Sequence, residues 1–241
     1  MGRTRVPTGI HGLDELVGGG LPENTVNLIS GPAGSAKSLL AMQFLYNGAK
    51  DYGEAGIYLT LEESRDSIIR AMSNYAMDIE KYEKEGKLVI LDMGEIRARC
   101  DASEEEGVVG FEALRVLLDN LMQFTKAKRL AIDSLTAIGL YYEDSTGRLR
   151  RELFKFAASL KGRDMTSLLI TESVEGGGLT RYGIEQFIAD SFINLGLEDV
   201  KGELRRTITV RKMRFTKHDT TKHPLLIGQT GITVSADSKV F

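Results

Sequence analysis

Gly31-Pro32-Ala33-Gly34-Ser35-Ala36-Lys37-Ser38 is the stretch on which the reading of this chain turns. It follows the apolar run Thr25-Val26-Asn27-Leu28-Ile29-Ser30 and opens into Leu39-Leu40-Ala41-Met42-Gln43-Phe44-Leu45, a helical pattern. A strand, a small-residue loop ending in Lys-Ser and then a helix are the setting of a phosphate-binding P-loop. Small residues let successive backbone N–H groups curl around phosphate oxygens, and the helix N-terminus adds partial positive charge. The segment from Gly31 through Pro32, Ala33, Gly34, Ser35, Ala36, Lys37 and Ser38 to Leu39 therefore predicts a nucleoside triphosphate site. Lys37 is expected to reach the β- and γ-phosphates, and the Ser38 hydroxyl to ligate Mg²⁺. One residue departs from the pattern: Ala36 stands where Gly usually precedes the Lys. A Cβ is comfortable there only at negative φ; otherwise the loop is distorted, with weaker binding or slower chemistry. Nucleotide binding is thus the firmer expectation and turnover the open one.

Composition fits one soluble α/β domain spanning residues 1–241, long enough for a substantial core. A hydrophobic share of 42% and a charged share of 27% are ordinary for a globular chain. No apolar run is long enough to cross a bilayer, and Met1-Gly2-Arg3-Thr4-Arg5 lacks a signal-peptide core. The single cysteine, Cys100, excludes an intrachain disulfide and suits a reducing cytoplasm. The net charge of −3 gives no global pull toward nucleic acid. The charge is uneven, however: Arg205, Arg206, Arg211, Lys212, Arg214, Lys217 and Lys222 gather near the C-terminus, and Glu104, Glu105 and Glu106 form an acidic patch.

Beyond the P-loop helix, Ala55–Leu61 reads as a buried strand ending at Glu62-Glu63, Ser67–Tyr75 as a helix and Lys87–Asp92 as the next strand. Met93–Val109 is polar and acidic, and reads as a mobile surface loop. Phe111–Phe124 has helical spacing, Arg129–Asp133 reads as a core strand, and Gly147–Lys161 as a helix with Leu149, Leu153, Phe154, Phe156 and Ala157 on its apolar side. Ser167–Thr171 is a further central strand. The alternation predicts an α/β fold with a mainly parallel twisted sheet flanked by helices. Ser191–Leu195, Leu204–Met213 and Gly231–Val234 then follow with no helix between them, so that end of the sheet is expected to turn antiparallel.

Three places carry candidate chemistry. Asp133 ends an apolar strand, where P-loop enzymes place a carboxylate that holds Mg²⁺; Asp-Ser-Leu-Thr would also serve as a helix N-cap. Glu62 and Glu63 lie at the carboxyl edge of the sheet, where one glutamate can orient the water that attacks a γ-phosphate, or both can cap the next helix. The residues do not separate the two, and Glu62 is taken first. Lys212 and Arg214, two apart on a strand, share a face and suit a triphosphate. Their distance in sequence from the P-loop points to a phosphate in a neighbouring subunit; the plainer alternative is an edge strand charged against aggregation.

These motifs resemble a single domain of the KaiC family within the RecA-like P-loop ATPases. The similarity runs essentially end to end: Thr8-Gly9-Ile10-His11-Gly12-Leu13-Asp14-Glu15-Leu16 with Gly18-Gly19-Gly20-Leu21-Pro22, the P-loop, Gln43–Gly48, Glu62-Glu63, Ile132-Asp133-Ser134, Arg151–Phe154, Thr171-Glu172, Arg181-Tyr182-Gly183 and Lys212–His218. The resemblance implies a RecA-like fold and a cytoplasmic ATP-binding ring, usually a hexamer, with nucleotide at each subunit interface. It implies P-loop roles for Lys37 and Ser38, and matches Glu62 and Glu63 to the family's catalytic carboxylates. Lys212, Met213, Arg214, Thr216 and His218 match the strand that contacts nucleotide from the adjacent subunit, and Arg205 and Arg206 border that interface. Phe215 stands where the family commonly has Gly.

The leading expectation is a slow ATPase using ATP and Mg²⁺, serving a regulatory or signalling cycle on a protein client that leaves no signature. An autokinase is disfavoured, because Gly183-Ile184-Glu185-Gln186-Phe187 offers no hydroxyl where the family's phosphorylating domain carries acceptors. A DNA-binding recombination or repair accessory is the other alternative. The loop Glu175–Arg181 holds one cation and no aromatic cluster, which makes a thin nucleic-acid surface.

Overall fold

A computed structural model describes residues 4–99, 110–142, 145–174 and 177–240. The acidic patch at 104–106, Cys100 and the loop positions Glu175 and Gly176 lie outside the described residues. The chain opens with β1 (Arg5–Val6), α1 (Leu13–Leu16) and β2 (Leu21–Pro22), continues with β3 (Val26–Gly31), α2 (Lys37–Asp51), β4 (Gly56–Thr60), α3 (Arg65–Ser73), α4 (Ile79–Lys84) and β5 (Leu88–Asp92), and then α5 (Met93–Arg99) and α6 (Phe111–Thr125). After these come β6 (Arg129–Asp133), α7 (Leu135–Gly139), α8 (Thr146–Lys161), β7 (Thr166–Glu172) and α9 (Glu185–Ile188). The chain finishes through β8 (Ser191–Val200), β9 (Glu203–Met213), β10 (Lys222–Gly228) and β11 (Gly231–Val234).

Among the described residues nine strands form one sheet in the order β11-β10-β9-β8-β3-β7-β6-β4-β5. The strands from β8 to β5 pair in parallel, and β9, β10 and β11 add antiparallel neighbours. One apolar face packs on α2, α3 and α4, the other on α6, α7 and α8. The cover on both faces leaves β3 and β4 buried along their whole length and β7 buried as far as Thr171.

Several expectations are corrected. Met93–Arg99 is helical rather than loop. The sheet does turn antiparallel toward the C-terminus, and the change falls at β9, because β8 still runs parallel to β3. The short helix α9 supplies the crossover before β8, and four residues are too few for periodicity to reveal. β10 escaped notice because Pro224 argues against a strand. It sits at a changeover, with residues 222–224 paired to β9 and 225–228 to β11. Phe154 is exposed on α8, and Leu160 is buried in its place. No helix among the described residues is long and apolar enough to cross a membrane.

The helix that carries the P-loop is fastened on several sides. From Leu39 to Ala49 every residue of α2 is buried. Gln43 exchanges two hydrogen bonds with the Ile232 backbone (3.1 and 2.7 Å), and the Asn47 amide donates to the Thr8 carbonyl (3.1 Å). The Thr8-Gly9 segment is itself held by Asp14, which accepts from the Thr8 and Gly9 amides (2.8 and 3.0 Å). Arg129, fully buried on β6, donates to the Phe44 carbonyl (2.9 Å) and to Glu54 (2.7 Å). Gly48 makes that docking possible, since a Cβ there would stand 2.5 Å from Arg129 Cδ.

Candidate functional site

The parallel register lines up the carboxyl ends of β3, β7, β6 and β4. Gly31 pairs with Glu172 and Thr60 with Asp133, so the loops leaving these strands share one edge, where ligand crevices form in open α/β sheets. The P-loop emerges there. Ser35 is buried and donates through Oγ to the Pro32 carbonyl (2.8 Å), closing the loop on itself. Gly34 has φ +78°, and Ala36 also has φ +78° with ψ +28°, placing its Cβ in the left-handed region. The negative-φ alternative is therefore not what this chain adopts, and Ala36 carries a cost of roughly 1–2 kcal/mol relative to a relaxed residue. The Lys37 ammonium donates to the Gly31 and Pro32 carbonyls (both 2.9 Å). Burial lowers its pKa from the ordinary lysine value, while Glu172, Asp133 and Glu62 oppose that shift.

The carboxylates sort themselves by their partners. Asp133 accepts from the Tyr58 hydroxyl at Oδ2 (2.7 Å). Burial raises its pKa, and hydrogen bonds from Ser38 and Tyr58 pull it back down. The N-cap alternative fails locally: Ser134 occupies the cap of α7 without a side-chain capping bond, and its Oγ donates instead to Glu62 Oε1 (2.6 Å). Glu62 thus faces Asp133, Ser134 and Lys37. Glu63 turns toward α3, where it accepts from Ser67 Oγ (3.4 Å) beside the Ser64 cap. Geometry separates two glutamates that the residues alone do not.

Tyr58, Ser134 and Glu172 are residues that sequence reasoning left out of the site. Glu172 was legible in principle, because it closes the strand beside β3 just as Asp133 closes β6. Arg206, which the resemblance set at the border of a subunit interface, lies beside the P-loop of its own chain: its Nε donates to the Gly34 carbonyl (2.9 Å). It helps line a cleft of about 260 Å³ beside the loop, with Ser38, Leu39, Tyr75 and Ile227. A half-buried tyrosine, a guanidinium and two aliphatic side chains suit a flat heterocycle. A second cleft of about 580 Å³ is lined by Glu62, Glu63, Arg65, Asp66, Asp92 and Glu95, a lining in which carboxylates outnumber the single guanidinium.

Lys212 and Arg214 are brought together, but not near the P-loop. A bulge opposite Phe192 and Ile193 leaves Arg211 outside the pairing and turns Lys212 toward α9. Its ammonium donates to the Ala189 and Gln186 carbonyls (2.6 and 3.1 Å), and burial lowers its pKa. Arg214, just past the strand, reaches Asp190 Oδ1 (3.3 Å). Asp190 in turn donates its amide to the Val26 carbonyl (2.7 Å), at the start of β3. The P-loop leaves the other end of that strand, five residues on, roughly 16 Å away at ~3.3 Å per residue. Thr216 accepts from Arg5 (2.6 Å), and the His218 ring lies against the Thr216 carbonyl. Met213 is buried, and Phe215, at φ +64°, is 63% exposed. The usual Gly there is explained by that φ.

A P-loop, three convergent carboxylates and a distant cation strand in this order match a known family. A family model for the KaiC ATPase covers residues 6–239. The chain belongs to the KaiC ATPase family. It is 39% identical over 229 residues to the circadian clock oscillator protein KaiC of Parathermosynechococcus lividus, and 37% identical over 234 residues to that of Synechococcus elongatus. Those alignments cover 94% and 95% of this chain but 41% and 44% of the relatives, so it spans under half their length. A KaiC-like protein of the hyperthermophilic archaeon Pyrococcus horikoshii, solved by crystallography, is 39% identical with a TM-score of 0.83, over 96% of this chain and 99% of that one. The fold is accordingly RecA-like α/β.

Proposed function

We propose that this chain binds ATP at the Gly31–Leu39 loop and hydrolyses it slowly within a ring of its own copies, six by family resemblance, as a regulatory module acting on a protein client. The observation that carries this reading is the split of the machinery across the sheet. Amide donors and carboxylates stand at the carboxyl edge, and the matching cations stand at the amino edge, about 16 Å away. One chain cannot bring Lys212 and Arg214 to its own P-loop, whereas a neighbour presenting its amino edge can.

In this reading the P-loop amides hold the phosphates, and Lys37 leaves the Gly31 and Pro32 carbonyls for the γ-phosphate. The adenine lies in the cleft between Tyr75 and Arg206. Ser38 and Asp133 offer adjoining hydroxyl and carboxylate oxygens, hard donors that suit Mg²⁺, and they would hold it. When bound, that ion supplies charge neutralisation at the phosphates. Glu62, with one oxygen fixed by Ser134, keeps the other to accept from and orient the attacking water. Lys212 and Arg214 of the adjacent copy stabilise charge on the transferring phosphoryl group. Hydrolysis is slow because the site is complete only at a subunit junction and because Ala36 strains the loop.

Light-scattering mass with and without Mg-ATP, followed by phosphate release from the same sample, tests this directly. A ring that forms or tightens with ATP, and phosphate release above a Lys37→Ala control, is the expected result. A monomer that binds ATP and releases no phosphate overturns both the ring and the catalytic half.

A further inference from the structure

The cations at the amino edge are organised around one buried carboxylate. The Asp190 side chain is 7% exposed, and its Oδ1 accepts from both Lys161 Nζ at the end of α8 (2.8 Å) and Arg214 Nη1 (3.3 Å). Oδ2 is fixed by the Val26 amide (3.2 Å), and the Asp190 carbonyl accepts from the Arg214 amide (3.0 Å). The neighbouring Ala189 carbonyl holds Lys212 (2.6 Å). Asp190 is therefore tied to the strand that ends in the P-loop, to α8 and to Arg214, while Lys212 is held by the backbone carbonyl of the residue before it. With one oxygen pinned to backbone it cannot swing to follow a moving guanidinium.

We propose that Asp190 is a positioning residue for Arg214 and Lys212, and that Lys161 tempers it by taking the shorter bond to the shared oxygen, so that Arg214 is oriented without being captured. This rests on the reading of Arg214 and Lys212 as groups that act on a neighbour's phosphate. The charge balance suits that task. Lys161, Lys212 and Arg214 face one carboxylate, so the cluster stays positive and accommodates a further anion. Arg214 gives Asp190 one of its five N–H donors and keeps its head half in solvent, with the rest of the fork for a phosphate. Without Asp190 the guanidinium loses its reference point. Without Lys161 the carboxylate, short of a partner, draws Arg214 back onto its own chain.

The test is a double-mutant cycle in the full chain, read by kcat and KM for phosphate release, by ATP-dependent mass and by the thermal midpoint. Asp190→Asn should lower kcat about tenfold with KM changed about twofold or less, and should add little to the loss already caused by Arg214→Ala, a coupling of the size seen for contacting residues. Lys161→Met, which leaves the Val26 bonds in place, should also lower kcat, and Lys161→Arg should restore it. The alkaline limb of the pH–rate profile should move to lower pH in Asp190→Asn, because the Asp190 charge supports the Lys212 ammonium against burial, Arg214 and Lys161. Should Asp190→Asn not fold, Lys161→Met decides: unchanged kcat overturns the proposal. Losses that simply add in the cycle, or a fast Asp190→Asn beside a slow Arg214→Ala, overturn it while leaving the neighbour reading intact. An Arg214→Ala chain as fast as the parent overturns that reading and this proposal together.

Discussion

The two edges of the parallel sheet are near-opposites in charge and in what holds them. At the carboxyl edge Glu62, Asp133 and Glu172 surround Lys37; at the amino edge Lys161, Lys212 and Arg214 surround Asp190. The first edge spends its lysine on its own loop carbonyls, and the second spends its cations on the turn at 186–190. Each is a self-satisfied half whose groups have exchangeable partners. In the proposed ring the difference would make the two edges complementary: the positive charge that one edge lacks is the surplus on the other.

The strongest way to break this comparison is to damage one edge in each of two chains. Lys37→Ala and Arg214→Ala should each reduce phosphate release about 10²-fold or more, the usual loss when a charged group that stabilises the transition state is removed. Mixed together they should recover a substantial part of the rate, because some junctions then pair an intact P-loop with an intact Arg214. No recovery on mixing would overturn the shared junction. Next in size, Glu62→Gln should cost about 10²-fold, in the range for general-base groups. Glu63→Gln should cost less than about tenfold, since its carboxylate serves Ser67 at the start of α3. Equal losses in steady-state phosphate release would erase the distinction drawn between them.

Much of this was legible in the residues, and the failures have physical causes. The Lys-Ser loop between an apolar run and a helix pointed to the loop after β3, and acids at or just past strand ends pointed to Asp133 and Glu62, which parallel strands deliver to that same edge. Arg206 was not legible as a P-loop neighbour: β9 crosses beside the loop only through sheet pairing distant in sequence. Asp190 stayed hidden because an acid in Ile188-Ala189-Asp190-Ser191 reads as a turn residue until α8 and β9 pack against it. Lys212 and Arg214 do stand together beside the 189–190 turn, but the two-residue period is not the cause: the strand ends at Met213, and Arg214 lies past it.

Ala36 allows a gentler test of the carboxyl edge. Replacing a left-handed alanine by glycine removes the Cβ penalty at φ +78°, less the entropy glycine loses on folding. Ala36→Gly should stabilise the chain by about 1 kcal/mol, or 2–4 °C in a chain of this size, measured by thermal melting without nucleotide. A lowered midpoint would mean that the Cβ makes packing contacts worth more than the strain.

The smallest effect belongs to the segment that follows the amino-edge cations. Asp219 accepts from the Thr221 hydroxyl and amide (both 2.6 Å), which lowers its pKa to about 2, and its own amide donates to the Leu16 carbonyl (3.0 Å). A carboxylate whose folded pKa lies below its unfolded value stabilises the fold above the unfolded value, near 3.8, and loses that contribution as pH falls toward 2. The side chain is open to solvent, so screening limits the effect to about 2 °C or less. Melting the parent and Asp219→Asn across pH 5 to 2 should show a small deficit in the variant at pH 5 that closes as the pH approaches 2. A deficit that persists at pH 2 would assign the anchoring to the shape of the turn rather than its charge, and would leave the seat of Arg214 and Lys212 insensitive to acid.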